Sequence, residues 1–229
     1  MNLKSRDFYD LKLTVTLKLW SNNPMDKLTV FPDKSLSKAG VISAKFLNLG
    51  IKSFIQACRY VQELPYGYNS NRDDLMILFK ENRGTCTTKH AVIATLAIEL
   101  KLSIEKSIGI YAMTEEIVTG TDKILEKYNL PYVPMIHCFL VYGTYRVDLS
   151  EDNNNGKNQP IEEFLYTQRV EPNISEKAEY LLYRKALKDP ILDREEMKGI
   201  NIVQILRARE QGLSLLKKNI KNTDEATIS

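Results

Sequence analysis

Histidine is scarce in this chain, with only His90 and His137 among 229 residues. Any chemistry that needs an imidazole base must draw on one of these two, and a histidine-rich metal centre is excluded. Cysteine is nearly as scarce: Cys58, Cys86 and Cys138 are an odd number, with no CxxC pair and no Cys/His finger spacing. Neither a disulfide framework nor a structural zinc site is expected from that pattern. Tryptophan occurs once, at Trp20. No apolar stretch is long enough for a signal peptide or a membrane span. Charge of one sign is also missing: 32 Lys and Arg face 29 Asp and Glu, for a formal charge of +3. That balance, without a run of like charge, argues against nucleic acid or a membrane as partner. The expectation is a cytoplasmic protein with reduced thiols that needs no cofactor and no metal.

What is present suffices for a large core. A chain of this length with 43% hydrophobic residues reads as one domain over residues 1–222, with its centre at about 51–150, a helical extension at 160–222 and a flexible tail at 223–229. The chain is organised around Arg83-Gly84-Thr85-Cys86-Thr87-Thr88-Lys89-His90, which continues into a breaker-free apolar run ending at Leu100. Gly84 is expected to supply backbone angles closed to other residues, and Thr85 to cap a helix. Cys86 then falls on the first helical turn, where free N–H groups and the helix dipole favour the thiolate, the nucleophilic form.

Elsewhere the pattern is readable in places. Residues 11–19 alternate apolar and polar as a half-exposed strand does, whereas 24–43 read mostly as connection. Phe54, Ala57, Cys58, Val61 and Leu64 recur at helical spacing over 51–64, ahead of Pro65, and Cys58 belongs to that apolar face. A short helix is expected at 73–82, a buried strand at 107–113 and a helix at 121–128. Further helices are expected at 160–166, at 175–188, and from 194 or 199 to 219. Two strand-like runs, 135–142 and 145–149, flank Gly143-Thr144, a hairpin signal with glycine first as a type II′ turn requires.

That hairpin raises the interest of Cys86. A two-residue turn sets Tyr142 opposite Tyr145 and Phe139 opposite Asp148, so His137 and Asp148 become diagonal neighbours on one face. A carboxylate can then hold one imidazole nitrogen while the other serves the sulfur, which is the nucleophile, base and orienter arrangement of a thiol acyl-transfer enzyme.

Three quotations, Gly84-Thr85-Cys86, His137-Cys138-Phe139-Leu140-Val141 and Arg146-Val147-Asp148, together resemble the core of the transglutaminase-like superfamily. The resemblance covers roughly residues 64–149. It implies an α+β papain-like fold, with the nucleophile helix packed on an antiparallel sheet. It also implies a Cys-His-Asp triad in which Cys86 attacks, His137 is the base and Asp148 orients it, acting on an amide or peptide through a thioester. Thr87 and Tyr145 stand where many members carry tryptophan, and the acidic clusters of the calcium-dependent cross-linking enzymes are missing. Hydrolysis and transamidation both remain open, as does the second oxyanion donor, for which Gln62, Tyr66 and Asn69 are candidates.

Other readings stand beside this one. His90, one helical turn beyond Cys86, is a rival base, and Cys86, His90 and His137 form a rival metal cluster. Glu151-x-Asn153-x-Asn155-Gly156 imitates a calcium loop but reads as a solvated turn. The last helix offers an apolar face to the core, or to a partner or a membrane surface. A module that keeps the fold without the chemistry is the alternative to an enzyme.

Overall fold

The computed structural model describes residues 26–151 and 153–226. The expected strand at 11–19 and Trp20 lie outside the described residues. Among the described residues the architecture is α+β: seven α-helices and a four-stranded antiparallel sheet in the order β3-β2-β1-β4. The strands are β1 (Ile104–Met113), β2 (Val133–Tyr142), β3 (Tyr145–Val147) and β4 (Tyr166–Val170). The central pair, β1 and β2, runs in continuous register from Ile104 opposite Tyr142 to Met113 opposite Val133. The hairpin takes the register its turn dictates, with Tyr142 opposite Tyr145 and Leu140 opposite Val147. Gly143 has φ +57° while Thr144 keeps a negative φ, the signature of type II′.

The helices are α1 (Val41–Asn48), α2 (Phe54–Glu63), α3 (Ile77–Glu81), α4 (Cys86–Glu99), α5 (Asp122–Tyr128), α6 (Glu176–Ala186) and α7 (Ile202–Ala226). At one end of the central strands, α1 to α4 enclose a core with Ile104, Leu140 and Val147. At the other end, Ile110, Met113, Val133 and Met135 pack with side chains from α5, α6 and α7. Between the two cores lies a small cluster of Cys86, Ile108 and Cys138. Helix α4 is the hub of the first core, since Val92, Ile93, Leu96 and Ala97 are fully buried along it. Each such branched side chain contributes about 1.5–3 kcal/mol relative to exposure.

Several expectations are corrected. Segment 160–166 is not helical. Gly109 on β1 leaves room for the Phe164 ring, whose Cδ1 would lie 2.2 Å from an added Cβ, and Leu165 N–H donates to the Ile110 carbonyl at 2.7 Å. The chain is thereby drawn onto the free edge of β1 and becomes β4. Helix α1 begins at the end of the 24–43 stretch read mostly as connection and runs on to Asn48, its first N–H groups, those of Ile42 and Ser43, capped by the distant carboxylate of Glu99 at 2.9 and 2.6 Å. Helix α7 continues to Ala226, beyond the expected frayed end, for nothing after Gly212 breaks it. Among the described residues no helix is long and apolar enough to cross a membrane.

Candidate functional site

Cys86 is the first residue of α4, and Thr85 is its N-cap in extended conformation. The entry is fastened twice: Thr85 N–H donates to Thr88 Oγ1 at 3.1 Å, and Thr88 O–H donates to Asn69 Oδ1 at 2.8 Å. Gly84 is required for space and not for unusual angles, which corrects the sequence reading. Its φ is not positive, yet an added Cβ would stand 2.7 Å from Thr88 Oγ1 and 3.1 Å from Leu78. The same close approach lets the Pro65–Gly67 strip pair with Gly84, through Gly84 N–H to Pro65 O at 3.2 Å. Tyr66 is thereby packed against the small cluster of Cys86, Ile108 and Cys138. Of the three candidate oxyanion donors, Tyr66 is the one beside the sulfur; Asn69 is spent on Thr88, Glu81 and the Arg83 carbonyl. No side-chain bond of Gln62 draws it into the site.

His137 and Asp148 come together from the two arms of the hairpin, with His137 Nε2 hydrogen-bonded to Asp148 Oδ2 at 2.5 Å. The other oxygen, Oδ1, accepts from Ser150 N–H at 2.8 Å and Ser150 O–H at 2.7 Å. With Nε2 engaged by the carboxylate, Nδ1 is left for the sulfur. Burial disfavours an imidazolium at His137, but the charges of Asp148 and Cys86 outweigh it and raise the pKa to about 9. Asp148 is opposed by burial too, yet His137 holds its carboxyl below the usual range.

Cys86 itself is held well below an ordinary thiol. The largest cause is a hydrogen bond from the Cys138 thiol, followed, against the cost of burial, by the charge and hydrogen bond of His137 and the charge of Lys157. Cys138 moves the opposite way, its thiol raised by donating to Cys86 and by burial. Thr87 Oγ1 lies 3.6 Å from its sulfur on the other side. A thiol held low beside an imidazole held high, with the carboxylate behind the ring, is a set of groups from which a nucleophile and a proton donor can be drawn.

His90 is not available as a base. Its Nδ1–H donates to the Cys86 carbonyl at 2.6 Å, and its Nε2 accepts from Leu149 N–H at 2.8 Å. Both ring nitrogens are used and the tautomer is fixed. Burial pushes the pKa down to about 4, so the ring is neutral although Asp148 Oδ1 lies 3.5 Å away. The same occupancy removes His90 as a metal ligand. Among the described residues no group of three or more His, Cys, Asp and Glu side chains is placed to hold a metal ion. What His90 does is clamp the base of α4 to the residue after Asp148.

The asparagine-rich segment is no solvated turn. Asn153 Nδ2 donates to the carbonyls of Gln62 and Leu64, the latter at 2.8 Å, and Asn155 Nδ2 donates to Ser150 O at 2.7 Å. Asn158 N–H donates to Ile117 O at 2.9 Å. The loop so pinned walls a cleft of about 290 Å³ that reaches Asp148 and carries Lys157, Glu151 and Asn153 on its sides. Cys138, Lys157 and the clamp role of His90 were beyond sequence reasoning; adjacency of Cys138 to His137 was the one local signal that existed. The nucleophile end is tightly enclosed, Cys86 being 7% and His137 2% exposed. Compared with protein-family models, with curated proteins and with solved structures, the chain gives no match in any of the three.

Proposed function

We propose that this protein is a cysteine-dependent acyl-transfer enzyme with a papain-like, transglutaminase-like core, acting on an amide or peptide. The observation that carries the reading is the Asp148–His137 hydrogen bond behind a thiol held low by His137 and Cys138. Cys86 Sγ attacks the carbonyl carbon and the carbonyl π pair moves to oxygen. The oxyanion is received by the Cys86 N–H at the start of α4 and by the Tyr66 hydroxyl. Collapse expels the amine, which takes the proton of the His137 imidazolium, leaving a thioester on Cys86. His137, neutral again, deprotonates water or a second amine, which displaces the thiolate and releases acid or new amide. Asp148 keeps the ring aligned through both halves and balances its charge.

The enclosure of Cys86 favours one other reading, a module that retains the arrangement without turnover. Alkylation by iodoacetamide at pH 6, read at each cysteine by mass spectrometry, separates the two. The enzyme requires Cys86 to react about a hundredfold faster than a free thiol, the advantage lost in His137→Ala. It also requires amine release from an amide library to vanish in Cys86→Ala. Labelling of Cys86 at the rate of a free thiol would sink the catalytic reading.

A further inference from the structure

The two lysines buried most deeply among the described residues, Lys89 and Lys106, are satisfied by backbone carbonyls. Lys89 Nζ donates to Gln62 O and Leu64 O at 3.2 and 2.5 Å, and Lys106 Nζ to Thr87 O and Pro172 O at 3.0 Å each. Lys80 and Lys198 reach carboxylates. Lys157 differs. It is half-buried, and its ammonium has no hydrogen-bond acceptor and no ion-pair partner among the described residues. A cation drawn partly out of water is costly, and Lys157 faces Cys86, Asp148 and Glu151 only at a distance, with no group paired to it directly.

The position is built with care. Lys157 N–H donates to Asn155 Oδ1 at 3.0 Å. Gly156, with φ +80°, lies so close to α7 that an added Cβ would meet the Leu216 carbonyl at 2.9 Å. The ammonium is thereby set over the Tyr66 ring, 5.8 Å from its centroid, on the wall of the cleft that Asp148 opens into. Tyr66 in turn touches Cys86. An anion on Lys157 therefore stands about one side chain away from the reacting sulfur. Both carboxylates on the cleft wall are already engaged, Asp148 by His137 and Ser150 and Glu151 by Lys27.

We propose that Lys157 is an anion subsite, which binds a carboxylate carried by the substrate beside the carbonyl that Cys86 attacks. The inference rests on Cys86 being the nucleophile of the reaction above. It narrows the substrate class to acidic amides or peptides.

Paired alkylating agents test it without knowledge of the substrate. Iodoacetate and iodoacetamide both lose iodide to the Cys86 thiolate and differ by the carboxylate. In the full chain the iodoacetate-to-iodoacetamide rate ratio at Cys86 is expected to exceed that of free cysteine by about tenfold. Lys157→Met brings it to the free-cysteine value, Lys157→Glu takes it lower, and Lys157→Arg keeps it. Circular dichroism confirms that the variants fold, and the arginine variant keeps the test valid if the methionine variant does not. A wild-type ratio equal to that of free cysteine, or one indifferent to Lys157→Glu, overturns the subsite while leaving Cys86 as nucleophile. Failure of both reagents to outpace a free thiol overturns the nucleophile and the subsite together. Three matched peptides then separate the sources of the acid: one with a free C-terminal carboxylate, one with an aspartate and an amidated end, one neutral. Preferential amine release from either acidic peptide, lost in Lys157→Met, supports the subsite and names the source; equal release from all three overturns it.

Discussion

The two sides of the Asp148 carboxylate hold a histidine each, and the pair shows how environment assigns roles to identical side chains. On the Oδ2 side His137 carries charge, because the carboxylate and the neighbouring sulfur outweigh burial and its pKa rises to about 9. On the Oδ1 side His90 is neutral, because burial dominates and both nitrogens are bonded to backbone, with a pKa near 4. Proximity to an acid does not by itself set the charge of a histidine; burial and the other partners of the ring decide it. His90 builds the frame in which His137 meets Asp148.

The comparison breaks most visibly at the His137 side. His137→Gln should slow Cys86 alkylation at pH 6 by about 10²–10³-fold, since the imidazolium partner of the thiolate is lost, and a mass-spectrometric time course reads it directly. Stability should change little by comparison. His90→Leu should invert that pattern: the Leu149 N–H loses its acceptor and the Cys86 carbonyl a donor, at a cost of roughly 2–4 kcal/mol in urea unfolding. Its folded fraction should keep fast alkylation at low pH.

The histidines also carry opposite pH signatures. His90 has its pKa lowered from 6.5 to about 4, so its contribution to stability is complete above pH 6.5 and fades as pH falls toward 4. Unfolding at pH 5 should cost about 2 kcal/mol less than at pH 7 on this account, and His90→Leu should lack that part of the slope. His137 has its pKa raised from 6.5 to about 9, so its contribution is complete below pH 6.5 and lost as pH climbs through 9. Turnover, which needs the protonated ring to expel amine, should fall on the same alkaline limb, as a pH–rate profile would record. The smallest effect belongs to the anchor of Oδ1. Ser150→Ala removes one hydrogen bond and should cost about 1 kcal/mol, with alkylation slowed by less than tenfold.

Those features that depend on neighbours in sequence were legible. The α4 start at Cys86, the Gly143-Thr144 turn and the pairing of His137 with Asp148 follow from helix chemistry and a two-residue loop. What escaped depends on partners far along the chain. Helix α1 begins where Glu99 caps it, and β4 exists because Gly109 leaves a space that Phe164 fills. Gly84 read as a conformational glycine and proved a steric one, a distinction that only the packed Thr88 and Leu78 reveal. The asparagine loop looked like solvent-facing filler because its acceptors, the carbonyls at the end of α2, lie about ninety residues earlier.

The contact of Gly156 with the Leu216 carbonyl carries a consequence for biogenesis. A nascent polypeptide that has left the ribosome as far as Asp148 possesses sulfur, ring and acid, but the stretch around Gly156 still lacks the α7 backbone that it packs against. Its last long helix arrives some sixty residues afterwards. Completion of the cleft wall at Gly156 thus waits on α7, an element far downstream of the three side chains it shelters.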